Sequence, residues 1–384
     1  MLLWLIDALN SAFPAAAAAT AALGKITLRA ALAAMIGFVL AVALGPRWIA
    51  WLKCRFREPI KCDSPEISRL HRNKQSTPTM GGLFIIAGLV AGVLFFGDLG
   101  NRYVQAALLL ATGLTAIGAV DDLVKLRGSS NGISARCKLA GQVVVATVVA
   151  VLIYQHHAAL PDGLQLRLPL LSGGISLGAW FIPAAVIVIV GSSNAVNLTD
   201  GLDGLAGGCL IFAAGAMTVV CYAAGHAELA QYLNIPRIPG AGELTVLGGA
   251  MIGGVLGFLW FNCHPAQVFM GDTGALPLGG LLGLLAVASR QELLLAVVGG
   301  VFVVEALSVI VQVGSYRWRR RRVFLCAPLH HHFQLKGWAE NKIVVRFWIA
   351  AALCALLGVA GLKLTVNEPA SSRPTDAATA SVLK

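Results

Sequence analysis

Five aspartates, three histidines and a few lysines carry most of the side-chain chemistry available to this 384-residue chain. Asp121 and Asp122 stand together in A-V-D-D-L-V-K. Neighbours on a helix point about 100° apart, so the two need not grip one ligand, and Lys125 is spaced to pair with Asp121. The run N-A-V-N-L-T-D-G-L-D-G places Asn194, Asn197 and Asp200 three residues apart, with Asp203 just beyond. Carboxamides and carboxylates at a helix end bind hydroxyls or a hydrated cation; the plainer reading is a polar turn that caps two helices. In F-M-G-D-T-G, glycines flank Asp272 and Thr273 where a helix must begin, and a helix N-terminus offers free N–H groups to phosphate. Asp272 is placed to hold Mg²⁺ against that phosphate, because magnesium takes one or two carboxylates plus substrate oxygens. As a simple N-cap it needs no ligand at all.

Cations complete the set. Lys74 precedes T-P-T-M-G-G, and Lys138 lies one turn before Gln142. Both suit a diphosphate, or they snorkel to a membrane interface. His330, His331 and His332 are consecutive, so they cannot all face one ion from a helix or strand, and a three-histidine zinc site is disfavoured. They fit better as hydrogen-bond donors to phosphate or sugar. His264 reads as structural. The eight cysteines are scattered without a C-x-x-C pair, which indicates neither a disulfide framework nor a zinc centre.

The elements that position these groups belong in lipid. The chain is 57% hydrophobic and 12% charged, where a soluble domain has about a quarter of its residues charged. A formal charge of +11 is therefore read through membrane topology rather than as a nucleic-acid surface. Apolar length predicts an all-α protein of ten spans, near 26–44, 79–97, 103–121, 138–154, 176–196, 204–223, 245–261, 275–288, 293–313 and 344–363, the eighth being the shortest. The loops after spans one, three and nine hold most of the 29 Lys and Arg and are assigned to the cytoplasm. All five aspartates then lie at the cytoplasmic face. An ion-coupled transporter more often keeps its carboxylates at the bilayer midplane, in broken helices. The first 24 residues lack a basic n-region and read as a retained interfacial segment. Residues 1–366 form one transmembrane domain, and 367–384, rich in Ala, Ser and Thr, read as a disordered tail outside the cytoplasm.

Taken together, T-P-T-M-G-G at 77–82, D-D at 121–122, N-L-T-D-G-L-D-G at 197–204 and F-M-G-D-T-G at 269–274 resemble the polyprenyl-phosphate N-acetylhexosamine-1-phosphate transferase superfamily. The resemblance runs from about Pro46 to Gly361. A-P-L-H-H-H-F-Q-L-K-G-W at 327–338 resembles its peptidoglycan branch more than a branch transferring N-acetylglucosamine phosphate. The resemblance implies a ten-span fold with a cytoplasmic cleft in the bacterial inner membrane and a Mg²⁺ requirement. It implies transfer of phospho-N-acetylmuramoyl-pentapeptide from its UDP-linked form to undecaprenyl phosphate, giving lipid I and UMP. It further implies that Asp272 contacts the metal, that Asp121 and Asp122 act near the carrier phosphate, and that His331 joins them in catalysis. Lys74, Thr79, Lys138, Asn194, Asn197, Asp200, Asp203, Asn262, Phe269, Gln312, His330 and His332 are implied to bind substrate. A homodimer is implied by the same resemblance alone.

Overall fold

A computed structural model describes residues 1–12, 17–55, 77–127, 132–161, 163–167 and 174–362. Lys74 and the 367–384 tail lie outside them. Two short helices, α1 (Leu2–Ala12) and α2 (Ala17–Gly24), precede the bundle. The bundle comprises α3 (Ile26–Arg55), α4 (Gly82–Phe96), α5 (Arg102–Arg127), α6 (Ala135–His157), α7 (Phe181–Thr199), α8 (Leu205–Gly225), the short α9 (Ala227–Leu233), α10 (Leu244–Asn262), α11 (Asp272–Ser289), α12 (Glu292–Val298), α13 (Gly300–Arg319), α14 (Leu329–Leu335) and α15 (Glu340–Gly361). A small antiparallel hairpin, β1 (Gln165–Arg167) with β2 (Gly174–Ser176), pairs Leu166 with Ile175 between α6 and α7.

Among the described residues, nine helices are long and apolar enough to cross a membrane, and they match nine of the ten expected spans. The remaining one, α4, has 15 residues, about 22 Å at 1.5 Å per residue. It begins three residues later than its hydropathy suggests. Pro78 is extended, Met80 has φ +69°, and this segment is held as a strand-like strip by the Phe269 backbone. The ninth span is broken at Gly299, so that α12 and α13 are separate helices.

The shortest expected span turns out to be the centre of the molecule. Every residue of α11 is buried, packed against α7, α5, α8 and α4. Its small residues allow this: a Cβ on Gly279 would lie 2.5 Å from the Ser192 carbonyl oxygen of α7, so the two backbones touch as small-residue helix contacts in membranes do. By contrast α13 and α15 expose most of their length, with Leu307, Ile310, Leu353 and Leu356 at least half exposed. Such faces are stable only against lipid.

Candidate active site

The aspartates at 121, 122 and 272 converge where α5 ends and α11 begins. Backbone pairing first brings two motifs together. Phe269 N–H donates to Pro78 O (2.8 Å), Gly81 N–H donates to Phe269 O (2.8 Å), and Gly82 N–H donates to Met270 O (2.9 Å). T-P-T-M-G-G is thereby zipped to F-M-G-D-T-G. Gly271 turns the chain into α11 with φ +69°. A Cβ there would sit 2.7 Å from Asp122 Oδ2 and 2.8 Å from Thr79 Oγ1, so both the backbone angle and the space call for glycine.

Asp122 then caps α11 from outside its own helix. Its Oδ1 accepts from Asp272 N–H (3.2 Å), and its Oδ2 accepts from Thr273 N–H (3.0 Å) and the Thr273 hydroxyl (2.6 Å). These are the free donors of a helix N-terminus. The cap expected of Asp272 is thus made by Asp122, which leaves the Asp272 side chain for other partners. Asp272 Oδ1 accepts from Asn197 Nδ2 at 2.6 Å, while Oδ2 meets Lys138 and stands 3.3 Å from Lys125 Nζ. Asp121 Oδ1 accepts from Ile133 N–H (2.8 Å), and its Oδ2 lies 2.9 Å from Lys125 and 3.7 Å from Lys138. Behind this layer Gln142 and Asn194 are joined amide to amide at 2.7 Å. Three carboxylates and two ammonium groups therefore share one network, and each of the three carboxylates offers one oxygen within 4.8 Å of the others.

A second cluster lies in the loop between α7 and α8. Asp203 Oδ2 is 3.0 Å from His264 Nδ1 and accepts from Ala266 N–H, and Asp203 N–H donates to Glu340 Oε1 at 3.0 Å. Asn262 spends its amide on Gly204 N–H and Val268 O. Asp200 shares this loop. Burial pushes its carboxyl up to about 7, and the Asp272, Asp122 and Asp203 carboxylates add to the rise.

A third cluster carries the histidines. Gln312 Oε1 accepts from Val323 and Phe324 N–H and its Nε2 donates to Phe324 O. His332 Nδ1 accepts from Leu325 N–H, which makes it the Nε2–H tautomer; burial, then Lys336, holds its imidazole below the ordinary range. His331 Nδ1 meets Gln334 at 2.7 Å, and His330 is fully buried.

A family model described as glycosyl transferase family 4 matches residues 104–290, the stretch that holds the whole carboxylate and lysine network. The chain is 45% identical over 357 residues to the phospho-N-acetylmuramoyl-pentapeptide-transferase of Koribacter versatilis (strain Ellin345), covering 88% of this chain and 93% of that protein. It is 49% identical over 343 residues to the protein of the same name from Geobacter sp. (strain M21), covering 88% and 94%. The chain belongs to the phospho-N-acetylmuramoyl-pentapeptide-transferase family.

Two charged groups in this member of the family escape a reading by motif. Lys125, legible only as a partner of Asp121, in fact reaches all three aspartates. Glu305 sits inside an apolar span and touches the histidine segment. A lone carboxylate in a membrane span is itself a signal of function, and it would have marked Glu305.

Proposed function

We propose that this chain transfers phospho-N-acetylmuramoyl-pentapeptide from UDP-N-acetylmuramoyl-pentapeptide to undecaprenyl phosphate, forming lipid I and UMP at the cytoplasmic face of the bacterial plasma membrane. The observation that carries the reading is the meeting of Asp121, Asp122 and Asp272 with Lys125 and Lys138 at one end of an apolar bundle. A diphosphate substrate requires cations beside it, and a divalent ion requires hard oxygen donors.

The donor set fits Mg²⁺. Both Asp122 oxygens are held by backbone N–H groups of α11, whereas Asp272 Oδ2 and Asp121 Oδ2 face lysine ammonium groups that a cation can displace, so these two carboxylates would hold the ion, the usual number for magnesium. When bound, Mg²⁺ supplies positive charge against the diphosphate oxygens and the departing UMP.

The residues do the rest by placement. Asn197 fixes one oxygen of Asp272, and Ile133 N–H fixes one oxygen of Asp121. Lys125 and Lys138, now spent on carboxylates, are within reach of phosphate oxygens that displace them. The carrier's phosphate monoester has a second pKa near 6, so its oxygen is already ionised and needs no strong base. That oxygen bonds to the sugar-bearing phosphorus as the bond from this phosphorus to UMP breaks. Direct transfer is favoured over a phosphoryl-enzyme because all three carboxylates are tied down by hydrogen bonds and ion pairs, which lowers their nucleophilicity. In this reading His331 contributes a hydrogen bond to the transferring phosphate.

Purified protein in detergent, given undecaprenyl phosphate, Mg²⁺ and UDP-N-acetylmuramoyl-pentapeptide, is expected to release UMP; chelation or Asp272→Ala abolishes the release. Turnover of UDP-N-acetylglucosamine instead would overturn the substrate assignment. Turnover undiminished by chelation would overturn the metal.

A further inference from the structure

Glu305 stands six residues into α13, in a helix otherwise apolar over its first turns, and is fully buried. An uncompensated carboxylate in such a place is costly. Its compensation comes from the N-terminus of α14, the seven-residue helix that carries the three histidines. Glu305 Oε2 accepts from Leu329 N–H at 2.7 Å, and Oε1 accepts from His330 N–H at 3.1 Å. Oε2 also lies 3.3 Å from His330 Nδ1. One carboxylate thus caps the helix and faces its first histidine, a charge-assisted arrangement of the strong kind.

Further polar side chains extend the grip. Gln312, seven residues on and so on the same face of α13, binds the backbone of Val323 and Phe324, and the Ser315 hydroxyl donates to Arg321 O. The return segment from Arg321 to His330 is laid along α13 by this polar stripe. At its end His330 presses on the aspartate loop. A Cβ on Gly201 would lie 2.2 Å from His330 Nε2, so imidazole and glycine backbone are in direct contact, one residue from Asp200. Among the described residues, neither ring nitrogen of His330 has a hydrogen-bond partner. The ring acts as a buried wedge between Glu305 and Gly201.

We infer that Glu305 is a positioning residue for the transfer: it fixes α14 and, through His330 and Gly201, the register of His331 against the aspartate loop. This rests on the function proposed above. The placement explains why a membrane helix retains a buried carboxylate that lies outside the lysine and aspartate network.

A double-mutant cycle on UMP release tests it, with wild type run alongside. Glu305→Gln keeps one acceptor oxygen but loses the charge; it is expected to lower kcat on the order of 10- to 100-fold, the scale of a misplaced catalytic group, with KM for the nucleotide substrate little changed. In a His331→Ala background the same change is expected to cost less than about threefold, because residues that act as a unit are non-additive. Multiplicative losses, or Glu305→Gln turnover within about twofold of wild type, would overturn the assignment. If Glu305→Gln does not fold, Glu305→Asp carries the same cycle, and failure of both to fold would reduce Glu305 to a structural residue and also overturn it. Wild type that turns over no muramoyl substrate would refute the proposed function instead, which keeps the two failures apart.

Discussion

Among single residues, Asp200 has a carboxyl that burial and the neighbouring carboxylates push upward. Its carboxyl ordinarily titrates at 3.8 and in the fold at about 7, so between these values the folded chain holds a proton that the unfolded chain has released. Its contribution to stability is therefore fully present below about pH 4 and is lost as the pH rises through 7. Asp200→Asn removes that dependence. The midpoint of thermal unfolding in detergent is expected to fall between pH 5 and pH 8 for wild type and to fall less for the variant. Parallel pH dependences would show that Asp200 is not held protonated by its surroundings.

At the scale of the element, the first turn of α11 is the part most exposed to a single substitution. Asp122 supplies its cap from α5, so it ties two helices, whereas Asp121 faces the lysines. Asp122→Ala is expected to cost about 1–2 kcal/mol through loss of the cap, and Asp122→Asn, which keeps an acceptor for Thr273, to recover much of it. Asp121→Ala is expected to abolish UMP release with a smaller fall in unfolding midpoint. Calorimetric or fluorescence melting of the three variants separates the roles, and equal midpoints for Asp121→Ala and Asp122→Ala would remove the distinction.

For the whole molecule, the question is which face the site looks toward. The basic ends of α3 and α13, with Lys53 and with Arg317 and Arg319, flank the aspartate end of the bundle, and the positive-inside tendency predicts a cytoplasmic position for that end. The loop at Leu99, between α4 and α5, lies at the opposite end. With the native cysteines, of which Cys54, Cys137 and Cys263 are exposed, replaced by serine, a membrane-impermeant maleimide is expected to label Trp318→Cys, at a residue 83% exposed, only in inverted vesicles, and Leu99→Cys only in right-side-out vesicles. The reverse pattern would turn the protein over in the membrane.

Apolar length by itself determined that the chain is a helical membrane protein, because no soluble fold can bury runs of twenty apolar residues with so few charges. Motif spacing likewise picked out Asp121, Asp122, Asn197, Lys138 and Asp272, since each stands at a span end where a polar group is costly without a purpose. What spacing could not decide was the division of labour. Adjacent aspartates look equivalent in one dimension, and only the arrival of α11 from 150 residues away makes Asp122 a cap and leaves Asp121 to the lysines. Hydropathy ranked α11 as an ordinary short span, yet it is the buried axis of the bundle, because burial depends on the helices around it and not on its own composition. Glu305 carries no motif. Its meaning comes from the backbone N–H groups of Leu329 and His330, 24 and 25 residues further on, and a hydrogen bond across that distance is fixed by the packed chain alone.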